Sequence, residues 1–489
     1  MPTDSPWRSR DFRTLFTATA FSQLGTNIGY VAVPLIAVSA LDASAGEVGL
    51  LATLSTVAFL LIGLPAGAWV DRMRHRRVLI TADVVRAGLF ASVPAAWALD
   101  ALTLEQLYAV VLLNGCATVF FDVGSQSILP RLVGREGLVR ANAAVVSLQA
   151  AGNVAGRGAG GGIVQLFTAP VAVIGVGVLY LASAVRLALP AAGRGRRSRR
   201  GADGVVPPGA DGGRTASGGG LAAQIAEGLR HVLRNAELRA LALTASLTNL
   251  GSQIVNTLLP VLFTRELGLS AGALGLYWAA GGAGILLGAR CAHPVARRLG
   301  HGRTLGVAGL VMAPTALLVP LIDRGPWLWV AGAGWMLVTF KIGVDNVLGV
   351  SLRQRLTPDP LLGRMNATFR FMLTGAIAVG SAVAGLIGEL AGLRVAMWVG
   401  AGCLTLAFLP VFLSPVRHRR ELPQPCGPER PAAGPAKERT TGARSFLPEG
   451  SERAPRRRGP GAGITSSGPG TPVPPGVSRR TRPGEGAAK

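Results

Sequence analysis

Lys341 and Asp345 stand four residues apart inside an apolar run, so a helix puts both charges on one face. Two readings stand for them. They neutralise each other as a buried ion pair, or Lys341 holds an anionic ligand group or tunes a neighbouring carboxylate. Asp83 and Arg86 lie one turn apart early in another apolar run. Their depth, about 8 Å from its start at 1.5 Å per residue, suits a structural pair near one membrane face. Arg157 is a cation within a glycine-rich run, costly there unless it faces a cavity or a carboxylate. Around it Gly152, Gly156, Gly160 and Gly161 set small residues on one helix face, which lets a second helix approach closely. Gln23, Asn27, Tyr30, Asn114, Asn249, Gln253 and Asn256 sit in other apolar runs and must find partners on neighbouring helices or on a ligand.

None of this converges on a catalytic set. The five histidines lie outside the depths of the runs and the acids are scattered, so no nucleophile with its base and no metal cluster is expected. Cys116, Cys291 and Cys403 lie in apolar runs and Cys426 in a polar tail, which gives no disulfide framework.

The elements that must carry these residues follow from composition. The chain has 489 residues, 49% hydrophobic and only 15% charged, with mean hydropathy +0.42. That is too apolar for a soluble protein of this length and describes an all-α polytopic membrane protein whose partner is the lipid bilayer. A net charge of +24 would suggest nucleic-acid binding in a soluble chain. Here the arginines fall in loops and tails, where they set topology, and no nucleic-acid partner is expected.

Apolar runs long enough to span recur at 15–41, 47–70, 78–99, 103–125, 138–166, 170–190, 238–263, 271–294, 304–322, 327–350, 361–388 and 392–414, giving about twelve transmembrane helices. Loops rich in arginine alternate with loops that lack it or pair it with an acid, which puts both termini in the cytoplasm. The start of the chain is polar with Arg8, Arg10 and Arg13, so a cleaved signal peptide is not expected.

The organisation reads as a six-helix half over 1–190, a flexible linker over 191–220, a second half over 221–416 opened by an interfacial helix, and a disordered basic tail over 417–489. The halves are one design used twice. Ser22-Gln-Leu-Gly-Thr-Asn-Ile matches Thr248-Asn-Leu-Gly-Ser-Gln-Ile at an offset of 226 (249 − 23), and Leu138-Val-Arg-Ala-Asn-Ala matches Leu362-Gly-Arg-Met-Asn-Ala at 224 (366 − 142). The second offset drops Gly156 and Gly161 onto Gly380 and Gly385. Two halves that both begin inside are related by an axis along the membrane normal, with the path between them.

One loop carries a signature. Gly67, Asp71, Arg72, Arg76 and Arg77 form the pattern Gly-x-x-x-Asp-Arg-x-x-x-Arg-Arg, which resembles the loop between helices 2 and 3 of the major facilitator superfamily. Arg74 and His75 depart from it. The glycines of 152–161 resemble the fifth-helix motif of exporters in that superfamily, with Arg157 where the family has proline. Residues 352–367 resemble the loop between helices 10 and 11 of its enterobactin-exporter and macrolide-efflux branch, and the likeness extends over roughly 8–416. It implies a monomeric carrier in the plasma membrane that exports a small amphipathic molecule such as a drug, antibiotic or siderophore by alternating access. No cofactor is implied beyond a proton gradient. An importer of the same fold and a transport-inactive sensor are the alternatives. The resemblance assigns gating to Gly67, Asp71, Arg72, Arg76 and the helix-5 glycines, and pairs Asp122 with the arginine loop. The cavity would be lined from helices 1, 4, 7 and 10, Lys341 included.

Overall fold

The computed structural model describes residues 6–189, 221–358 and 361–419, apart from several side chains within the helices, that of Asp71 among them. The expected linker and nearly all of the expected tail lie outside these residues. Among the described residues there are helices and turns and no strand.

The first half comprises α1 (Arg10–Ala40), α2 (Ala45–Arg72), α3 (His75–Ala98), α4 (Leu104–Phe167) and α5 (Ala169–Ala188). The second comprises α6 (Leu221–Arg234), α7 (Ala236–Val261), α8 (Ala271–Leu299), α9 (His301–Met312), α10 (Pro326–Arg355), α11 (Leu362–Leu390), α12 (Leu393–Leu406) and α13 (Leu409–Leu413). Ten segments are long and apolar enough to cross a bilayer. Two expected crossings are not among the ten, for different reasons. Helix α7 carries Asn249, Gln253 and Asn256, which lower its hydropathy. The run 138–166 is continuous with the preceding crossing in one 64-residue helix, α4.

Straight, α4 would be about 96 Å long at 1.5 Å per residue, three times the bilayer core. Its contacts show that it turns back. Gly115 meets Ser55 and Ala58 of α2 and Gly124 meets Leu79 near the start of α3, whereas Gly156 meets Asn27 and Gly160 meets Ile28 and Val31 of α1. The first part therefore runs toward the arginine turn and the second away from it. Pro130 lies near the reversal and removes a helical hydrogen bond there.

The sequence repeat is also a repeat of local chemistry. Ser44 caps α2 by accepting from the Glu47 N–H at 3.3 Å, and Ser270, 226 residues on (270 − 44), caps α8 by accepting from the Ala273 N–H at 3.3 Å. Ser9 and Asn235 cap α1 and α7 at the same offset (235 − 9). Each such cap satisfies an N–H the helix cannot and is worth about 1 kcal/mol. Gly25 of α1 packs against Val176 and Tyr180 of α5, and Gly251 of α7 against Gly400 and Cys403 of α12.

The apolar core shows how the halves meet. One cluster at the end far from the arginine turn joins them, with Val38 and Leu51 beside Leu258 and Ala384. At the arginine end each half keeps its own, Phe12, Leu79 and Phe121 in one and Val232, Met365 and Phe369 in the other. Helix α6 belongs to the second of these. Val232 is buried there, Glu227 pairs with Arg364, and Gly228 lies against Thr368 of α11.

Candidate functional site

Two glycine seams hold the halves together. On one, α4 meets α8 so closely that a Cβ on Gly161 would stand 2.7 Å from the Gly275 Cα and 2.5 Å from the Ala271 carbonyl oxygen. On the other, α2 meets α11, and a Cβ on Gly49 would stand 2.4 Å from the Gly385 Cα. No side chain fits at such distances, so dispersion between backbones replaces it. At the far end Asp42 and Arg265 form an ion pair at 3.1 Å and Glu389 accepts the Gly46 N–H at 3.0 Å. Along the seams the contacts reach Val154 with Gly282 and Arg370 with the Phe59 ring. Toward the arginine turn, a Cβ on Gly63, Gly67 or Gly363 would meet no described atom within 4 Å.

Between the separated ends lies a cavity of about 360 Å³, within the range of small-molecule sites. Its lining includes Tyr30, Arg157, Asn249, Gln253, Asn256 and Asp345 from the residues picked out in the sequence. The Arg157 guanidinium lies over the Tyr30 ring, 4.3 Å from its centroid. Tyr30 meets Trp278 edge to face at 5.4 Å, and the Trp278 indole N–H donates to Asn256 Oδ1 at 2.8 Å. Gln253 donates to Thr257 at 3.1 Å and to Ser381 at 3.0 Å, tying α7 to α11.

Other candidates lie elsewhere. Asn27 donates to the Gln23 carbonyl at 2.9 Å and packs against Gly152 and Gly156, so it joins α1 to α4. Neither it nor Gln23 nor Asn114 lines the cavity. Lys341 is ion-paired with Asp345 and faces a side recess against Gly309 of α9. Asp83 and Arg86, 2.9 Å apart and both buried, share Ser22 inside the first half, with Arg86 stacked on Phe121 and Tyr180.

The sequence pattern of the Major Facilitator Superfamily matches residues 15–348, more than half of the chain. The chain belongs to the Major Facilitator Superfamily. It is a multi-pass membrane transporter and not an enzyme. It is 25% identical to the enterobactin exporter EntS of Salmonella typhi over 394 residues, covering 78% of this chain and 86% of that protein. It is 28% identical to the multidrug efflux pump Tap of Mycolicibacterium fortuitum over 411 residues, 81% of this chain and 93% of the pump. Among solved structures it resembles the nucleoside transporter NupG, with a TM-score of 0.64 at 12% identity over 82% of this chain and 98% of that one. It also resembles a bacterial homologue of the iron transporter ferroportin in its inward-facing state, with a TM-score of 0.61 at 16% identity over 83% and 98%. These likenesses show the fold.

The superfamily's signature loop is split between roles. Arg76 donates to the carbonyls of Leu187 at 2.7 Å and Leu189 at 2.9 Å, capping the end of α5 within the first half. Arg72 is exposed at the end of α2. Among the described residues, the cations whose charge reaches Asp122 are Arg86 and Arg370.

Sequence reasoning did not pick out Arg353, Arg370, Trp278 or Trp335. Arg353 lines the cavity with its guanidinium 4.6 Å from the centroid of the Phe369 ring, and Trp335 stacks on Tyr277 with centroids 6.2 Å apart. Arg353 lies just past the end of its run, where arginine is read as topology, and Arg370 has no acid at helical spacing to mark it. Gly281, against which Trp335 packs, offered a weak signal, because a glycine mid-helix leaves room for an indole.

Proposed function

We propose that this superfamily member exports a small amphipathic molecule, such as a drug, antibiotic, siderophore or other natural product, from the cytoplasm by alternating access coupled to proton antiport. The observation that carries the reading is the cavity between two halves that are sealed at one end and apart at the other. With the arginine turn in the cytoplasm by the positive-inside rule, the cavity faces inward, both termini are cytoplasmic and the chain works as a monomer in the plasma membrane. Both named relatives carry substrates outward by name, which supports export.

Transport then requires the glycine seams to part and the arginine ends to close, a rocking of one half against the other. In that closed arrangement Asp71 and Arg72 would meet the second half. For coupling, Asp345 is the carboxylate on the cavity among the described residues, and Lys341 is its counter-ion. A proton arriving on Asp345 from outside releases Lys341, which biases the halves without any further group.

Accumulation of a panel of labelled amphipathic compounds in cells expressing the wild type or Asp71→Asn, with a protonophore added at steady state, tests the reading. Lower accumulation with the wild type, lost in the variant and on collapse of the gradient, is expected. Higher accumulation would make the protein an importer.

A further inference from the structure

Resting on the reading that the cavity is the substrate site, we infer that the substrate is an anion on an aromatic or planar body, with Arg157 as the residue that binds its charge. The class includes aromatic carboxylates, phenolates and sulfonates.

The charges of the cavity do not balance. Asp345 is already held by Lys341. Asp122 lies in the field of Arg86 and Arg370, Asp83 is bonded to Arg86 and Ser22, and Glu389 accepts from Gly46 at the sealed end. What is left over on the cavity is positive. Among the described residues, Arg157 and Arg353 form no ion pair and their side chains make no hydrogen bond, and the Nε of each is buried without a partner. A guanidinium carries five N–H donors in a planar fork. Tyr30 covers one face of Arg157 and satisfies none of those donors. A half-buried cation with open donors and no carboxylate is costly, and an anionic ligand would remove that cost.

The surroundings specify the rest of the molecule. Tyr30 and Trp278 form adjoining aromatic surfaces beside Arg157, and the Ser252 and Thr244 hydroxyls lie buried on the cavity wall without partners. A ring can stack there while its charged group meets the guanidinium edge bidentately. Arg353 does a different job. It lies 18 residues along α10 from Trp335 (353 − 335), about 27 Å at 1.5 Å per residue. Its ring partner Phe369 belongs to the apolar cluster at the arginine end, which puts Arg353 toward the open end, where a positive charge steers anions inward.

The test is equilibrium dialysis of the purified full-length protein in detergent at pH 7 against 2-naphthoate, 2-naphthalenemethanol and 2-naphthylmethylammonium, which share one ring system. The wild type is expected to bind the naphthoate roughly tenfold or more tightly than the alcohol, the size of one charge-assisted hydrogen bond, and the ammonium weakest. Arg157→Gln should lose that preference while still binding the alcohol saturably, which shows an intact cavity. Arg157→Lys should keep most of it. A wild type that binds the alcohol as well as the naphthoate, or shows no saturable naphthoate binding, overturns the inference, as does an Arg157→Gln variant with the wild-type ratio. Binding does not depend on direction or coupling. An anion preference without lower cellular accumulation would sink the export reading and leave this one standing.

Discussion

The two seams between the halves are the same contact made twice, and they differ one turn away. Gly161 meets Gly275 on one, and Gly385 meets Gly49 on the other, at offsets of 224 (385 − 161) and 226 (275 − 49). One turn earlier, the first seam carries Arg157 over Tyr30, while the second carries Ser381 bonded to Gln253 (381 − 157 = 224). Tyr30 itself corresponds to Asn256 (256 − 30 = 226). The repeat thus retains what lets two backbones touch and release, and abandons symmetry where a ligand must be told apart from its neighbours. A moving joint needs a matched pair, whereas a binding site needs an orientation.

Breaking the joint has the largest expected effect. Gly161→Val and Gly385→Val each force a side chain into backbone at less than 3 Å. Overpacking of that kind costs about 1–3 kcal/mol, and here it falls on the sealed state alone. Both variants should reach the membrane in normal amounts and lose transport about tenfold or more, read as cellular accumulation of an exported compound. A loss at only one seam would break the equivalence.

The acids test the asymmetry next. Asp345 and Asp122 correspond at an offset of 223 (345 − 122), yet Asp345 has Lys341 as a direct ion-pair partner, whereas Asp122 only lies in the field of Arg86 and Arg370, one from each half. Asp345→Asn should abolish the response of accumulation to a protonophore. Asp122→Asn should slow transport severalfold while keeping that response. Equal loss of the response in both would remove coupling from the Lys341 pair.

Smaller effects sharpen the picture. Ser381→Ala removes the acceptor for Gln253 and the donor to the Ile377 carbonyl and should cost about 1–2 kcal/mol in thermal unfolding of the purified protein, with anion preference unchanged, in contrast to Arg157→Gln. The turns that follow the two seam helices offer a further pairing. Thr168 has φ 83° and ψ 158° and Gly392, 224 residues on (392 − 168), has φ 94° and ψ 158°. That region suits glycine alone, so Thr168→Gly should raise stability by about 1 kcal/mol and Gly392→Ala should lower it by a comparable amount.

Much of this was legible in the sequence because a repeat constrains twice. The repeat that pairs Gly156 with Gly380 (380 − 156 = 224) also pairs their neighbours in space, Asn27 and Gln253 (253 − 27 = 226), each packed against its glycine. Hydropathy gave most of the crossings, and it gave the one helix α4 as two because the polar stretch between its apolar runs, with Pro130 at its edge, marks the reversal. Facing was the harder problem. Asn27 and Tyr30 are three residues apart on α1, and one packs against α4 while the other reaches the cavity. Helical period fixes their relative angle, but where the cavity lies depends on how six helices tilt around it. Of the two readings of Lys341, the structure has the ion pair with Asp345, and the flexible stem runs past Gly309 into a side recess. Arg353 was invisible as a cavity residue because a cation near a crossing's end serves topology and chemistry equally well.

The central claim is that the sealed end must open for transport, and one cross-link tests it. A Cβ on Gly46 would stand 3.6 Å from the Glu389 Cβ, within the span of a disulfide. With the four native cysteines replaced by alanine, Gly46→Cys with Glu389→Cys should form the bond on oxidation, and export of a compound found in the panel should stop and return with reductant. Cross-linked protein that exports at the rate of the reduced form would contradict the account.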